Sequence, residues 1–270
     1  MEKSSEEKKD SVFILSLMRF IIFLIMVTAY FLTAAPFLVA YSVFPYRTRK
    51  IFNIILSTYS RSLLKILNFR VKIKGAPFVR EMNGVLRVGN HLSYLDVLIL
   101  AAFYPGCFVT SVEMKKTPFL GQICMLTGCL FVERRNKSNL RNEIKDITNG
   151  LKNKLNVFVF PEATSTDGSS VIRFRRALFQ AAVDAETKVL PYTINYEKLN
   201  GHPVNVHNRD QLCWYGGMTF FDHFWNVLGL KSVEMSIEFH PLVSTHKETD
   251  ITELANACHK QVEQAFHPYN

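Results

Sequence analysis

His91 and Asp96 have the residue types and the spacing for proton transfer. His91 ends an apolar run, and Asp96 follows five positions later. A carboxylate beside an imidazole fixes the ring tautomer and stabilises the imidazolium, so the pair could act as a general base with its orienting acid. With eight histidines in the chain, such a spacing also arises by chance. The hypothesis therefore depends on what other segments supply.

The elements around this pair place it at the end of a strand. Residues 84–90 form a short apolar run typical of a strand, and a helical apolar pattern begins at Leu95. His91 would then lie at a strand-to-helix junction, facing solvent or substrate.

The rest of the chain continues this alternation of strand and helix patterns. Further strands are predicted at 107–112, 129–133, 157–160, 189–196 and 233–239. Helices are predicted at 95–103, 118–126, 139–154, 174–185, 221–228 and 251–266. The pattern indicates an α/β fold with a mixed, largely parallel sheet flanked by helices and an N-terminal membrane-associated helical segment. In such sheets, sites lie beyond the carboxyl ends of the strands.

Three more segments carry polar residues at predicted strand ends or within a strand. Arg134 ends the segment 128–134 and could hold a phosphate or carboxylate, although a surface salt-bridge cluster is the simpler alternative. Residues 160–168 pass from an apolar strand into Pro, Glu and hydroxyl residues, which suit a polar headgroup or an ordinary turn. Pro191 interrupts an apolar strand and predicts an edge, a bulge or a site-lining bend.

Taken in order, these four segments resemble the blocks of the glycerolipid acyltransferase family that includes bacterial 1-acylglycerol-3-phosphate acyltransferases. The resemblance covers about residues 86–194. It implies transfer of a fatty acyl group from a thioester, acyl-CoA or acyl carrier protein, to a lysolipid hydroxyl. His91 would take the hydroxyl proton, Asp96 would hold the imidazole, and no covalent acyl-enzyme, metal or other cofactor is implied. The residues implied in substrate binding are Asn90, Arg134, Glu162, Ala163, Thr164, Ser165 and Pro191.

Two residues depart from the family pattern. Ala163 stands where the family usually has glycine, which is tolerable at negative φ and costly otherwise. Ser165 stands where an arginine is common, so the expected acceptor, lysophosphatidic acid, competes with a lyso-ornithine lipid or a lysophosphodiester lipid. Arg173, Arg175 and Arg176 follow closely and could supply the missing charge. A non-catalytic lipid-binding protein and an acyl thioesterase remain as further alternatives.

The N-terminal part predicts membrane attachment. A charged tail, 1–10, precedes an apolar stretch at 11–45 that contains Arg19 and Pro36, so a single span competes with a tilted, kinked or hairpin insertion. Residues 46–69 interleave basic and apolar positions, which suits a helix on an anionic lipid surface or one packed on the core. We expect a membrane-associating segment at 11–70 and a catalytic domain at 71–270. Basic residues cluster after the apolar stretch, which predicts, if that stretch spans the membrane, a catalytic domain on the cytoplasmic face, at the inner membrane in a bacterium.

Composition excludes several other classes. The formal net charge of +9 suits membrane lipids as partners, and no nucleic-acid recognition motif accompanies it. The five cysteines form no C-x-x-C pair, which favours a reduced compartment over zinc or disulfides. His202, His207, His223 and Cys213 match no metal-ligand spacing.

Overall fold

One mixed sheet forms the centre of the protein. The computed structural model describes residues 5–75, 77–117, 120–132 and 137–269. Within these ranges the strand order is β1-β8-β6-β2-β5-β3-β4, with β7 paired to β6. The strands are β1 (Phe69–Lys74), β2 (Leu86–Gly89), β3 (Cys107–Ser111), β4 (Leu130–Val132), β5 (Val157–Val159), β6 (Val189–Leu199), β7 (His202–Pro203) and β8 (Val233–Phe239).

Helices flank this sheet and precede it. They are α1 (Ser5–Ala34), α2 (Leu38–Val43), α3 (Pro45–Ile66), α4 (Tyr94–Phe103), α5 (Val112–Lys116), α6 (Leu120–Leu126), α7 (Lys137–Lys152), α8 (Gln180–Ala185), α9 (Phe220–Leu228) and α10 (Ile251–Ala265). Tyr196 of β6 reaches α4 on one face of the sheet, and Thr193 reaches α10 on the other. Since side chains alternate between the faces of a strand, α4 and α10 cover opposite faces.

The parallel part of the sheet carries the predicted site. Strands β4, β3, β5, β2 and β6 run parallel, whereas β8 and its partner β1 run antiparallel to them. This confirms the predicted fold class. Because β2 and β5 are neighbours, the loops that follow their carboxyl ends start side by side.

Several local predictions differ from the structure. Phe69 begins β1, whereas the amphipathic pattern extended a helix to that residue. Val112 begins α5 instead of ending a strand, because the Ser111 side chain accepts a hydrogen bond from the Met114 N–H and caps a helix there. The predicted helix 118–126 is observed from Leu120, and its first two residues lie outside the described residues.

Pro191 was expected at an edge, a bulge or a site-lining bend, and the edge is excluded because β6 lies between β8 and β2 in the interior of the sheet. The β6–β8 ladder starts at Tyr192, one residue later, and its irregularity lies between Tyr196 and Lys198. The Pro191 carbonyl accepts from the His240 N–H at 3.0 Å, just beyond the end of β8. Half of the Pro191–His240 pairing is therefore made, and the other half is missing because proline has no N–H to donate.

The N-terminal helices pack on the catalytic part of the chain. The apolar stretch Lys9–Val43 is long enough to cross a bilayer by length and composition, and a 3₁₀ turn at Ala35–Phe37 breaks it where Pro36 was expected to. One face of α3 is buried, and its Ser57 hydroxyl donates to the Ala102 carbonyl of α4 at 2.9 Å. Thus α3 uses one face as a core helix, while Arg47 and Lys50 are exposed on the other.

Candidate active site

The local fold explains why His91 and Asp96 are five positions apart. Ser93 is the N-cap of α4, and Asp96 is the third residue of that helix. In such a capping box the carboxylate reaches back to the N-cap backbone. Here Asp96 Oδ2 accepts from the Ser93 N–H at 2.9 Å and lies 2.9 Å from His91 Nδ1. The same carboxylate therefore caps the helix and holds the imidazole.

The hydrogen bonds of Asp96 define the tautomer of His91. Besides these contacts, Asp96 Oδ2 accepts from the Leu92 N–H at 2.7 Å, and Oδ1 accepts from the Tyr196 hydroxyl at 2.8 Å. Backbone N–H groups can only donate, so this fully buried side chain serves as an acceptor. His91 Nδ1 therefore carries the proton and Nε2 carries the lone pair. The His91 side chain is 20% exposed, which leaves its ring open to a substrate.

The loop after β5 holds His91 from a second side. The Phe160 ring stacks on the imidazole with centroids 3.9 Å apart and an interplanar angle of 15°. Glu162 Oε2 accepts from the His91 backbone N–H at 2.6 Å, and the Thr166 N–H donates to the His91 carbonyl at 2.9 Å. Ring and backbone of His91 are thus both fixed before substrate arrives.

Glu162 is buried beneath the catalytic loop. Its Oε1 accepts from the Ile172 N–H at 2.9 Å. Burial raises the pKa of Glu162 to about 8, although the N–H donors of His91 and Ile172 favour the ionised form. In the structure, Glu162 ties the backbones of two loops together.

The neighbouring residues of this loop have different environments. Ala163 has φ +61°, in the left-handed region, and its N–H closes a turn on the Phe160 carbonyl at 3.0 Å. Thr164 is exposed. The Ser165 hydroxyl donates to the Trp214 carbonyl, and the Trp214 N–H donates to the Leu92 carbonyl at 2.8 Å. Ser165 thus joins the loop to the segment that follows β7.

Asn90 and Pro191 are part of the sheet framework. The Asn90 side chain donates to the Ile194 carbonyl at 2.9 Å and accepts from the Ile194 N–H at 2.8 Å. Asn90 therefore completes the pairing of β2 with β6 after the regular ladder ends at Gly89. Pro191 is buried in β6, opposite Val88.

Arg134 lies outside the described residues. The three arginines named as replacements for the cation missing at Ser165 all have exposed side chains: Arg173, Arg175 and Arg176. The Arg175 N–H donates to the Pro161 carbonyl at 2.9 Å, which places its backbone at the Glu162 turn. Arg176 donates to the Thr252 hydroxyl at 2.8 Å and so points toward α10.

Sequence reasoning missed two supports of the site. Tyr196 is buried and holds Asp96, and the Tyr196 N–H donates to the Tyr269 hydroxyl at 2.7 Å. Tyr269 also donates its own N–H to the Gly168 carbonyl at 2.9 Å. The C-terminal segment thereby connects β6 to the loop that holds His91. Inward-facing alternation along β6 could have marked Tyr196 as buried, but no local pattern identifies its partner.

Other residues considered for metal binding do not meet. His202 and His207 are exposed, whereas His223 is buried with Nδ1 3.0 Å from the Tyr94 hydroxyl. In the ranges that the structure describes, no three or more His, Cys, Asp or Glu side chains are grouped to hold a metal ion.

Comparison with known proteins identifies the family. The model of the family described as Acyltransferase matches residues 70–195, which include the His91–Asp96 pair and the loop after β5. Residues 70–195 therefore belong to the acyltransferase family.

Two relatives of this acyltransferase have different names. This chain is 29% identical over 179 residues to the 1-acyl-sn-glycerol-3-phosphate acyltransferase of Neisseria meningitidis, and the match covers 66% of this chain and 68% of the relative. It is 27% identical over 211 residues to the lyso-ornithine lipid O-acyltransferase of Brucella abortus, covering 76% and 78%.

A solved structure shares the fold. The crystal structure of the 1-acyl-sn-glycerophosphate (LPA) acyltransferase of Thermotoga maritima matches with a TM-score of 0.65 and 20% identity over 96% of each chain. This likeness covers the N-terminal helices as well as the sheet.

Proposed function

We propose that this acyltransferase moves a fatty acyl group from a thioester to the hydroxyl of a lysolipid, with His91 as general base. The observation that carries the proposal is the His91 ring, whose Nδ1 is fixed 2.9 Å from buried Asp96 while the side chain remains partly exposed.

The reaction follows from this geometry. His91 Nε2 accepts the hydroxyl proton of the lysolipid as the hydroxyl oxygen attacks the thioester carbonyl. Asp96 stabilises the imidazolium that forms, and the imidazolium returns the proton to the thiolate when the tetrahedral intermediate collapses. A positioned general base contributes about 10² to 10⁴ in rate. The thioester is already activated, so no acyl-enzyme is required.

Lysophosphatidic acid is the acceptor we propose first. The relative from Neisseria meningitidis bears that activity in its name. Arg134, in the segment after β4, and the exposed Arg173 and Arg175 beside the Glu162 turn are the cations available for its phosphate. Thr164 is exposed at the same turn and could contribute a hydroxyl. We assign Asn90, Glu162 and Pro191 to the framework that positions these groups.

Ser165 favours a second acceptor, a lyso-ornithine lipid. Its hydroxyl is engaged with the Trp214 carbonyl, so this position offers neither a cation nor a free hydroxyl to a dianionic phosphate. A zwitterionic headgroup needs less positive charge. The relative from Brucella abortus is named for this acceptor.

The location of the reaction is the membrane surface. An 18-residue window of the apolar stretch Lys9–Val43 has a mean hydropathy of 2.5, and only 11% of that window is buried within the protein, which supports lipid contact. Yet α1 is tied to the domain from Arg19, which donates to the Leu228 carbonyl at 2.9 Å, to Tyr30, which donates to the Leu126 carbonyl at 2.8 Å. We infer that α1 lies along the membrane face of the domain, with the domain on the cytoplasmic side.

An acceptor and donor screen on the purified, vesicle-reconstituted protein tests this proposal. Lysophosphatidic acid, lyso-ornithine lipid and lysophosphatidylethanolamine are each offered with acyl-CoA or acyl carrier protein, and the diacyl product is measured. We expect transfer to lysophosphatidic acid to be fastest. A strong preference for another acceptor overturns the first choice, and rapid fatty acid release without any acceptor indicates a thioesterase.

A further inference from the structure

The N-terminal end of α9 exposes two adjacent aromatic side chains. Phe220 and Phe221 are 50% and 59% exposed. Burying a phenylalanine side chain is worth about 1.5 to 3 kcal/mol, so a pair left in water forgoes a sizeable stabilisation. Contiguous exposed apolar surface marks an interaction site more often than isolated residues do.

This pair continues the exposed apolar face of α1. The Phe221 ring meets Phe20 of α1 edge-on with centroids 6.1 Å apart, and Trp225 of α9 contacts the same Phe20 ring at 5.8 Å. The α1 residues on either side of Phe20 are among the most exposed large hydrophobic side chains of the protein: Leu17, Met18, Ile21, Leu24 and Ile25. Thus the exposed apolar side chains of α1 and those at the start of α9 are adjacent and meet at Phe20.

The two helices are also joined firmly. Arg19 is almost fully buried and donates to the carbonyls of Leu228 and Leu230, at the C-terminal end of α9 and just beyond it. Phe23 packs on Phe224 with ring centroids 4.7 Å apart. Because a cation at the C-terminus of a helix satisfies its last carbonyls, this contact holds α9 against α1. Lipid that surrounds the exposed face of α1 must therefore also reach Phe221.

On its other side, α9 contacts α4, the helix that carries Asp96. The Phe220 ring lies 4.9 Å from the Tyr94 ring, and the Tyr94 hydroxyl lies 3.0 Å from His223 Nδ1 of α9. Tyr94 is the first residue of α4, two positions before Asp96. The start of α9 therefore lies between the lipid-facing surface of α1 and the catalytic loop.

We propose that Phe220 and Phe221 are a second lipid-contacting surface, inserted into the same membrane leaflet as α1. The occupant of this surface is the bilayer, since the surface is continuous with the helix that supplies the membrane attachment. This inference rests on the membrane attachment in the proposed function. It adds that α9 seats the catalytic loop at the interface, where a membrane-embedded lysolipid can present its hydroxyl.

Site-directed spin labelling tests the insertion. All five native cysteines are buried, so a label attaches selectively at Phe221→Cys, Ile25→Cys or Val206→Cys. Ile25 represents α1, and Val206 is an exposed apolar residue of a loop outside both helices. In vesicles of phosphatidylethanolamine and phosphatidylglycerol, accessibility to oxygen and to a water-soluble nickel chelate is measured by power saturation.

We expect the labels at Phe221 and Ile25 to be reached by oxygen and protected from nickel, and the label at Val206 to show the reverse. Nickel access at Phe221 with protection at Ile25 overturns the α9 proposal and leaves the proposed function intact. Nickel access at both positions overturns the membrane attachment and, with it, the α9 proposal. Spin–spin broadening at Phe221 that disappears on dilution with unlabelled protein indicates a second copy as occupant and also overturns the proposal.

A kinetic variant separates membrane seating from folding. For Phe221→Gln we expect about a tenfold rise in KM for a long-chain lysolipid embedded in vesicles, from the lost apolar burial. Activity on a short-chain, water-soluble lysolipid should stay within about twofold, as should both activities of Val206→Gln. Equal loss on both acceptors, or no loss on either, contradicts the proposal.

Discussion

Tyr196 completes the hydrogen bonding of Asp96, the carboxylate that holds the His91 imidazole. Its hydroxyl is the donor to Asp96 Oδ1, and both side chains are buried. A hydrogen bond to a charged group is worth about 1.5 to 3 kcal/mol, and its loss leaves the carboxylate oxygen without that partner. Tyr196 is therefore a positioning residue that acts through Asp96.

We predict that Tyr196→Phe lowers kcat about tenfold. With one donor removed, Asp96 holds the imidazole less firmly, so kcat falls while the KM for the lysolipid is retained. The matched control is Tyr215→Phe, which removes a 2.8 Å tyrosine–aspartate hydrogen bond to Asp210 at the surface and should change neither quantity. An unchanged kcat for Tyr196→Phe would show that the hydroxyl has no part in positioning.

Glu162 makes the stability of the protein dependent on pH. Burial raises its pKa to about 8 from an ordinary value of 4.5. Below about pH 4.5 Glu162 is protonated in both states and its stabilisation is complete. Between pH 4.5 and 8 the folded state holds the proton that the unfolded state releases, so stability falls as pH rises and levels off above pH 8.

We expect Glu162→Gln to reduce this slope, since glutamine does not titrate. The slope per pH unit is at most about 1.4 kcal/mol for one group. Denaturant unfolding at several pH values measures it, and Glu253→Gln, a substitution in the exposed first turn of α10, is the control that keeps it. A wild-type slope in Glu162→Gln would contradict the burial argument.

At the scale of elements, the turn after β5 carries both the contacts and the strain of the site. Ala163 adopts φ +61°, which costs a residue with a Cβ roughly 1 to 2 kcal/mol. The turn is nevertheless held by the Glu162 hydrogen bonds to His91 and Ile172. The family's usual glycine would adopt this conformation without that cost.

We predict that Ala163→Gly stabilises the protein by about 0.5 to 1 kcal/mol, the difference between the relieved strain and the entropy of a glycine in the unfolded chain. Ala257→Gly, exposed within α10, should instead destabilise it by about 1 kcal/mol. Both are measured by chemical unfolding at one pH. Destabilisation by Ala163→Gly would mean that the turn has no strain to relieve.

Elements that followed from periodicity were predictable, and those that depend on distant partners were not. Strand β8 was predicted with its observed bounds because its apolar alternation ends at clear turns. Strand β1 was missed because its basic residues Arg70, Lys72 and Lys74 continue the pattern of α3, and their acidic partners lie on β6 and β8. The capping of α4 by Ser93 and Asp96 was local and could have been predicted.

At the scale of the whole molecule, the segments that carry His91, Asp96 and Glu162 could be located from the sequence, but the contacts between those segments could not. The His91–Asp96 pair and the Glu162 loop follow strands β2 and β5, and only the strand order makes these loops neighbours. Likewise, the cost expected for Arg19 in a membrane helix is offset by two carbonyls more than 200 residues away in the chain. Contacts of this separation leave no pattern in a single sequence.

The most direct test of the general-base assignment is the steady-state rate of acyl transfer by His91→Ala in vesicles. The account predicts a fall of about 10² to 10⁴ in kcat with membrane attachment and unfolding stability retained. His202→Ala, which removes the exposed histidine of β7, should keep the wild-type rate. Acyl transfer by His91→Ala at near wild-type rate would contradict the central claim.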